Sequence, residues 1–226
     1  MTAPAVFVTG GTGYLGSALL PQLTARGHRV RVLVRGQSVG KLPSGCEPVV
    51  GDALDPATFA GAVERDETFV QLVGTPHPGP TKAREFQRID LVSVRASVAV
   101  AAAAPVSHFV YVSVAQPAPV MRDYVEVRAA GEAAVRAAGL RATFLRPWYV
   151  LGPGHRWAHA LRPLYWLAER LPPSRDTARR LGLVRRREMV AALVEAVERP
   201  PAAVRIVEVP EIRGAPDRLS PPLAPL

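Results

Sequence analysis

The sequence predicts an α/β fold, a doubly wound parallel sheet with helices on both faces, and three observations carry that expectation. Short apolar runs rich in Val, Phe and Tyr recur along the chain. They alternate with amphipathic stretches of helical period, the order that βαβ units impose. The first run leads straight into a glycine-rich turn, as a buried parallel strand feeding a helix does.

Ala5–Thr9 (AVFVT) is the first expected strand. Tyr14–Ala25 carries Leu15, Leu19, Leu20 and Leu23 on one helical face, and Gly27 stops it. Val30–Val34, Glu47–Val50 and Phe69–Val73 are the next three strands. Glu85–Ala104 reads as a long helix closed by Pro105, and His108–Val114 as a strongly β-branched and aromatic fifth strand. Arg122–Ala138 is a helix with Val127, Gly131, Ala134 and Ala138 along one face, ended by Gly139. Ala142–Leu145 is a sixth strand, Arg187–Val197 a late helix and Val204–Val209 a last strand.

The 226 residues read as one domain, with residues 155–187 as a small insertion and the proline-rich stretch 216–226 as an irregular tail. Cys46 is the lone cysteine, which excludes an intrachain disulfide and suits a reducing compartment. Met1–Val8 has neither a basic stretch nor a long apolar segment, so no signal peptide is expected. The Ala-rich stretch Val98–Val106 is about half of what a membrane span needs. The expected location is the cytoplasm. The net charge of +9 comes almost wholly from Arg, with Lys41 and Lys82 the lone lysines. The arginines are spread along the chain, and aromatics do not interleave with them as a nucleic-acid platform requires, so no nucleic-acid partner is expected. The five histidines and Cys46 show no metal-ligand spacing, so no metal is expected either.

The candidate ligand site begins at Thr9-Gly10-Gly11-Thr12-Gly13-Tyr14-Leu15-Gly16. Gly10, Gly13 and Gly16 are three apart, and each removes a Cβ where the chain turns, admits a pyrophosphate or packs the new helix on its strand. The helix opening near Tyr14 would aim free N–H groups and its positive dipole end at that pyrophosphate. About 20 residues on, where sites for NAD place an acid against the ribose 2′-OH, stands Arg35 in Val32-Leu33-Val34-Arg35-Gly36, with no Asp or Glu beside it. A guanidinium pairs with a 2′-phosphate and stacks on adenine, so the expected cofactor is NADP, with NAD the second choice. Asp52, with Ala53 after it, follows the third strand, placed either to accept from an adenine amino group or to cap the next helix.

With these residues placed, the sequence resembles the short-chain dehydrogenase/reductase superfamily, and TGGTGYLG (9–16) looks like its extended and atypical branches, including NmrA-like proteins and the nucleotide-binding accessory subunit of respiratory complex I. Gly51-Asp52, YVSVA (111–115), Tyr124 and RPWYVLGPG (146–154) fit as well, so the resemblance spans roughly residues 5–154. It implies a Rossmann-type sheet. It also implies that Val73-Gly74-Thr75 runs beside the adenosine ribose and phosphates, and that Arg146-Pro147 passes the nicotinamide end.

Active members of that superfamily move a hydride to or from a carbonyl carbon. A Tyr supplies the proton, a Ser polarises the oxygen, and a Lys four residues after the Tyr lowers its pKa. Ser113 and Tyr124 are the corresponding residues here, both expected at the carboxyl ends of the strands. The Lys position holds Arg128, which keeps a charge at i+4 but presents a planar fork in place of a compact ammonium. Two functions follow. One is an NADP-dependent oxidoreductase acting on a small apolar carbonyl compound, with Tyr124 as donor, Ser113 as oxyanion support and Arg128 as helper. The other is a redox sensor or accessory protein that binds the dinucleotide without chemistry and works through a protein partner. Trp157–Leu171, apolar along one side and interrupted by Pro163, reads as a helix on the domain core, a lid, a partner contact or a membrane-surface patch. His155 and Arg156 are candidates for a substrate anion, and the arginines of 175–187 for an acidic partner or anionic surface.

Overall fold

The computed structural model describes residues 5–76, 78–153, 177, 180–216 and 219. The segment Trp157–Leu171, His155, Arg156 and nearly all of the tail therefore lie outside the described residues. Seven strands form one parallel sheet: β1 (Val6–Thr9), β2 (Val30–Val34), β3 (Cys46–Val50), β4 (Thr68–Gln71), β5 (His108–Val112), β6 (Ala142–Arg146) and β9 (Val204–Glu208). Their order is β3-β2-β1-β4-β5-β6-β9. β1 pairs with β2 on one side and β4 on the other, so the chain reverses direction across the sheet at β1. Open α/β sheets bind ligands in the crevice at such a switch point.

The two-residue period of the strands sorts the core into two chemistries. On one face Val6, Val8, Val30, Val32, Val70 and Val110 pack under α1 (Gly16–Ala25), through Leu19, Leu20 and Leu23, and under a late helix through Met189, Leu193 and Val197. On the other face lie Phe7, Phe69, Phe109, Tyr111 and Phe144. Phe7, Phe69 and Phe109 stand in one register across β1, β4 and β5, with neighbouring ring centroids 5.2 Å apart. This aromatic row is covered by α3 (Val92–Ala103) and α4 (Arg122–Ala137). α3 follows α2 (Ala83–Glu85) and a π-helical turn, Phe86–Leu91, so the long helix expected over 85–104 is interrupted in its first half.

Three other expectations change. The first helix begins at Gly16 rather than Tyr14, because Gly13 N–H closes on the Gly10 carbonyl and the turn runs on to Leu15. The face of α4 that is buried carries Val127, Arg128, Gly131, Glu132 and Val135, two of them charged, whereas Ala138 is exposed. A second small parallel pair joins β7 (Tyr149–Leu151) to β8 (Leu183–Arg185), three-residue strands too short and too far apart to show as a pattern. β8 leads into α5 (Arg186–Glu198), and β9 into the short helix α6 (Val209–Arg213).

His108 opens β5 fully buried, its Nε2 2.9 Å from Thr143 Oγ1 and its Nδ1 without a partner. Burial, helped by the Arg141 charge, pushes its pKa down from 6.5 to about 4. The unfolded chain therefore takes up a proton that the folded chain refuses across that window. Stability is complete above pH 6.5 and falls as the pH drops towards 4, by on the order of 3 kcal/mol from this residue. Urea denaturation between pH 7 and 4 should show this slope in the wild type and a shallower one in His108→Gln.

Candidate functional site

The crevice at the switch point is built from two loops. The turn after β1 leaves the sheet at Gly10, whose φ of +73° a side chain rarely adopts and whose Cβ would collide with the backbone of Leu72–Val73. Leu72 N–H donates to the Thr9 carbonyl, which holds the loop after β4 against that turn. Gly16 opens α1 with its Cα pressed on the carbonyls of Gly10 and Gly11, where no Cβ fits. The turn is thereby compact enough to present backbone N–H groups ahead of α1.

A cleft of about 370 Å³ opens from this turn. Gly10, Thr12 and Gly13 border it, with Arg35 at the end of β2, Asp52 and Ala53 after β3, and Val73 and Gly74 after β4. Ser38, Leu54 and Ile89 border it too, and the sequence reading passed them over. Ser38 is three residues beyond Arg35 in a short helical turn, a spacing that marks it in hindsight; Ile89 reaches the cleft through the π-helical turn, which left no readable pattern. The Arg35 side chain is exposed and, among the described residues, makes no hydrogen bond or ion pair. Asp52 Oδ1 accepts from Leu54 N–H at 2.9 Å, closing the turn after β3. The dimensions, the absent Cβ atoms and a cation at the far end fit a dinucleotide.

The other candidate residues surround the cleft without bordering it. Leu15 packs on the aliphatic core. Tyr14 lies against Gly152 with the Arg186 guanidinium 4.7 Å above its ring, and burial raises its pKa. Thr75 is buried and donates to Asp90 through both N–H and hydroxyl. The buried Pro147 accepts from Ala115 N–H, which ties the segment after β6 to that after β5.

Ser113, Tyr124 and Arg128 each have protein partners. Ser113 Oγ donates to Glu132 Oε1 at 2.6 Å. Glu132, 4% exposed on α4, also accepts from Gln116 and twice from Arg146, which reaches on to Glu208 of β9. The carboxylate beside Arg146 holds that guanidinium's pKa above its ordinary value. Tyr124 is half-buried, its ring 4.9 Å from Phe86 and 5.1 Å from the Arg128 guanidinium carbon. Arg128 pairs with Asp90 at 2.6 Å and donates to the Val112 carbonyl at 2.8 Å. Neither Arg128 nor Ser113 borders the cleft.

A phosphate-ready turn at the switch point of a parallel sheet defines a nucleotide-binding α/β protein. Residues 10–157 match the family model described as NAD(P)H-binding, and the chain belongs to this family. It is 31% identical over 215 residues to a ceramide reductase from Caulobacter vibrioides, across 92% of this chain and 65% of that protein. It is 32% identical over 109 residues to a 4-hydroxy-2-methyl-3-oxo-4-farnesyl-3,4-dihydroquinoline-1-oxide ketoreductase from Stigmatella aurantiaca, across 47% of this chain and 32% of that one. The chain thus spans less than two thirds of the length of either relative. Among solved structures, the Bordetella bronchiseptica enzyme WbmH in complex with NAD+ superposes with a TM-score of 0.66 at 20% identity, covering 91% of this chain and 75% of that one. A short-chain dehydrogenase/reductase superfamily protein from Agrobacterium tumefaciens with bound NAD gives 0.64 at 18%, covering 90% and 77%. These likenesses show the fold. The cofactor class is a nicotinamide dinucleotide. Among the described residues, no helix is long and apolar enough to cross a membrane, and no group of three or more His, Cys, Asp or Glu is placed to hold a metal.

Proposed function

We propose that the chain is an NADPH-dependent reductase of an apolar carbonyl compound. The observation that carries the cofactor choice is Arg35, without a side-chain partner among the described residues, at the rim of the cleft with Ser38 beside it. A guanidinium and a hydroxyl suit a 2′-phosphate, and a carboxylate that would bind a free 2′-OH is missing there. Reduction is supported by the two relatives, both named as reductases, one for a ceramide and one for a farnesyl-bearing ketone. In this reading the bound dinucleotide would be the hydride source, and Tyr124 would pass its phenolic proton to the carbonyl oxygen. Ser113 supports the oxygen after its hydroxyl turns from Glu132. A depression of about 420 Å³ at the carboxyl ends of β5 and β6, bordered by Gln116, Val125 and Arg146, offers room for substrate.

One observation favours the second reading, a protein that binds the dinucleotide without turnover. The Arg128 fork is taken up by Asp90 and Val112, so no ammonium sits below the phenol.

Fluorescence titration with NADPH and NADH separates the cofactors. We expect NADPH to bind the wild type more tightly and Arg35→Ala to lose about tenfold or more for NADPH alone; equal affinities would remove the 2′-phosphate site. NADPH consumption with a panel of apolar ketones, abolished in Tyr124→Phe, supports the reductase. Tight binding with no consumption supports the second reading.

A further inference from the structure

Asp90 and Arg128 form the least exposed ion pair near the cleft, with side-chain exposures of 0% and 6%. The π-helical turn sets Ile89 towards the cleft and the next residue, Asp90, into the protein. Such turns disturb the regular helical register and are frequent at functional sites. Asp90 Oδ2 accepts from Thr75 N–H at 2.9 Å and from Thr75 Oγ1 at 2.5 Å. Its other oxygen accepts from Arg128 Nη2, while Arg128 Nη1 donates to the last carbonyl of β5. One buried pair therefore joins the loop after β4, the π-helical turn, the end of β5 and α4.

The loop it holds forms part of the cleft wall. Gly74 lies on the guanidinium so closely that a Cβ would strike Nη2, and Gly74 and Val73 border the cleft. Towards Tyr124 the guanidinium has a different relation. Its carbon stands 5.1 Å from the ring centroid, and its charge is already matched by Asp90. A cation already matched in a buried pair does less for a phenolate than an unpaired ammonium would.

We propose that Asp90 and Arg128 are positioning residues: the pair fixes the Gly74–Thr75 wall against which the dinucleotide lies, and Arg128 is not the acid–base partner of Tyr124. The proposal rests on the dinucleotide reading of the cleft. Losing one link loosens the wall, and losing a second link in the same chain adds little.

The test measures Kd for NADPH in Arg128→Lys, Thr75→Val and the double variant, with the pH profile of any turnover. Lys keeps the charge beside Asp90 but loses the fork, and Val removes the Thr75 hydroxyl alone. The neutral pair Asp90→Asn with Arg128→Met guards against a fold lost to an unmatched buried charge. We expect each single variant to weaken NADPH about tenfold and the double to stay near that value. We also expect the neutral pair to bind NADPH more weakly than wild type and Arg128→Lys to leave the pH profile in place. Unchanged NADPH affinity in the single variants, losses that multiply in the double, or a pH profile moved by Arg128→Lys each overturns the proposal. A wild type that binds neither NADPH nor NADH overturns the dinucleotide reading, and this proposal with it.

Discussion

Replacing Gly16 by Ala should raise the NADPH Kd by about a hundredfold, the effect of on the order of 3 kcal/mol of local overpacking. The new Cβ would sit within 2.6 Å of three backbone atoms, the carbonyl oxygens of Gly10 and Gly11 and the Gly11 Cα, at 2.5, 2.4 and 2.5 Å. None of these is the tip of a flexible side chain, so the turn itself must move. Gly10 has no room to absorb the shift, because the backbone of Leu72–Val73 is pressed on its other side. The displaced atoms are those that would face the pyrophosphate. Fluorescence titration measures the affinity, and far-ultraviolet circular dichroism checks that the sheet persists. A Gly16→Ala variant that binds NADPH within about twofold of the wild type would show that the turn is not the phosphate site.

Glu132→Ala should lower stability by about 3 kcal/mol or more, roughly 6–12 °C in Tm for a chain of this size. Four hydrogen bonds end on this carboxylate: from Ser113, from Gln116 and two from Arg146. Without it Arg146 keeps Glu208 alone, at 3.2 Å, and the Ser113 hydroxyl is left buried without its acceptor. Glu132→Gln retains an acceptor and should cost less. Thermal denaturation of the two variants separates the charge from the packing. If both melt with the wild type, the network contributes nothing to the fold.

The network also explains why α4 was misread along part of its length. Val127, Gly131, Ala134 and Ala138 suggest an apolar stripe, Arg128 is expected beside Tyr124, and the sequence reading gives Glu132 no role. Both are buried, because each finds its counter-ion on a segment distant in sequence: Arg128 on Asp90, Glu132 on Arg146. Periodicity records where apolar side chains recur. It carries no mark of a charge that will be matched across the sheet.

The parallel sheet, its two helical layers and the glycine turn were legible because they depend on local rules. β-branched and aromatic residues alternate with helical stripes, and the three glycines stand where a strand must turn into a helix. Arg35 was legible for the same reason, at a fixed distance from that turn. The tertiary structure alone decided what lies between the local elements: the π-helical turn that brings Ile89 and Asp90 to the cleft, the pairing of β7 with β8, and the partners of Ser113 and Arg128. Each of these requires groups far apart in the chain to meet in a buried space, where matching a charge or a hydrogen bond outweighs the preference of either residue for water.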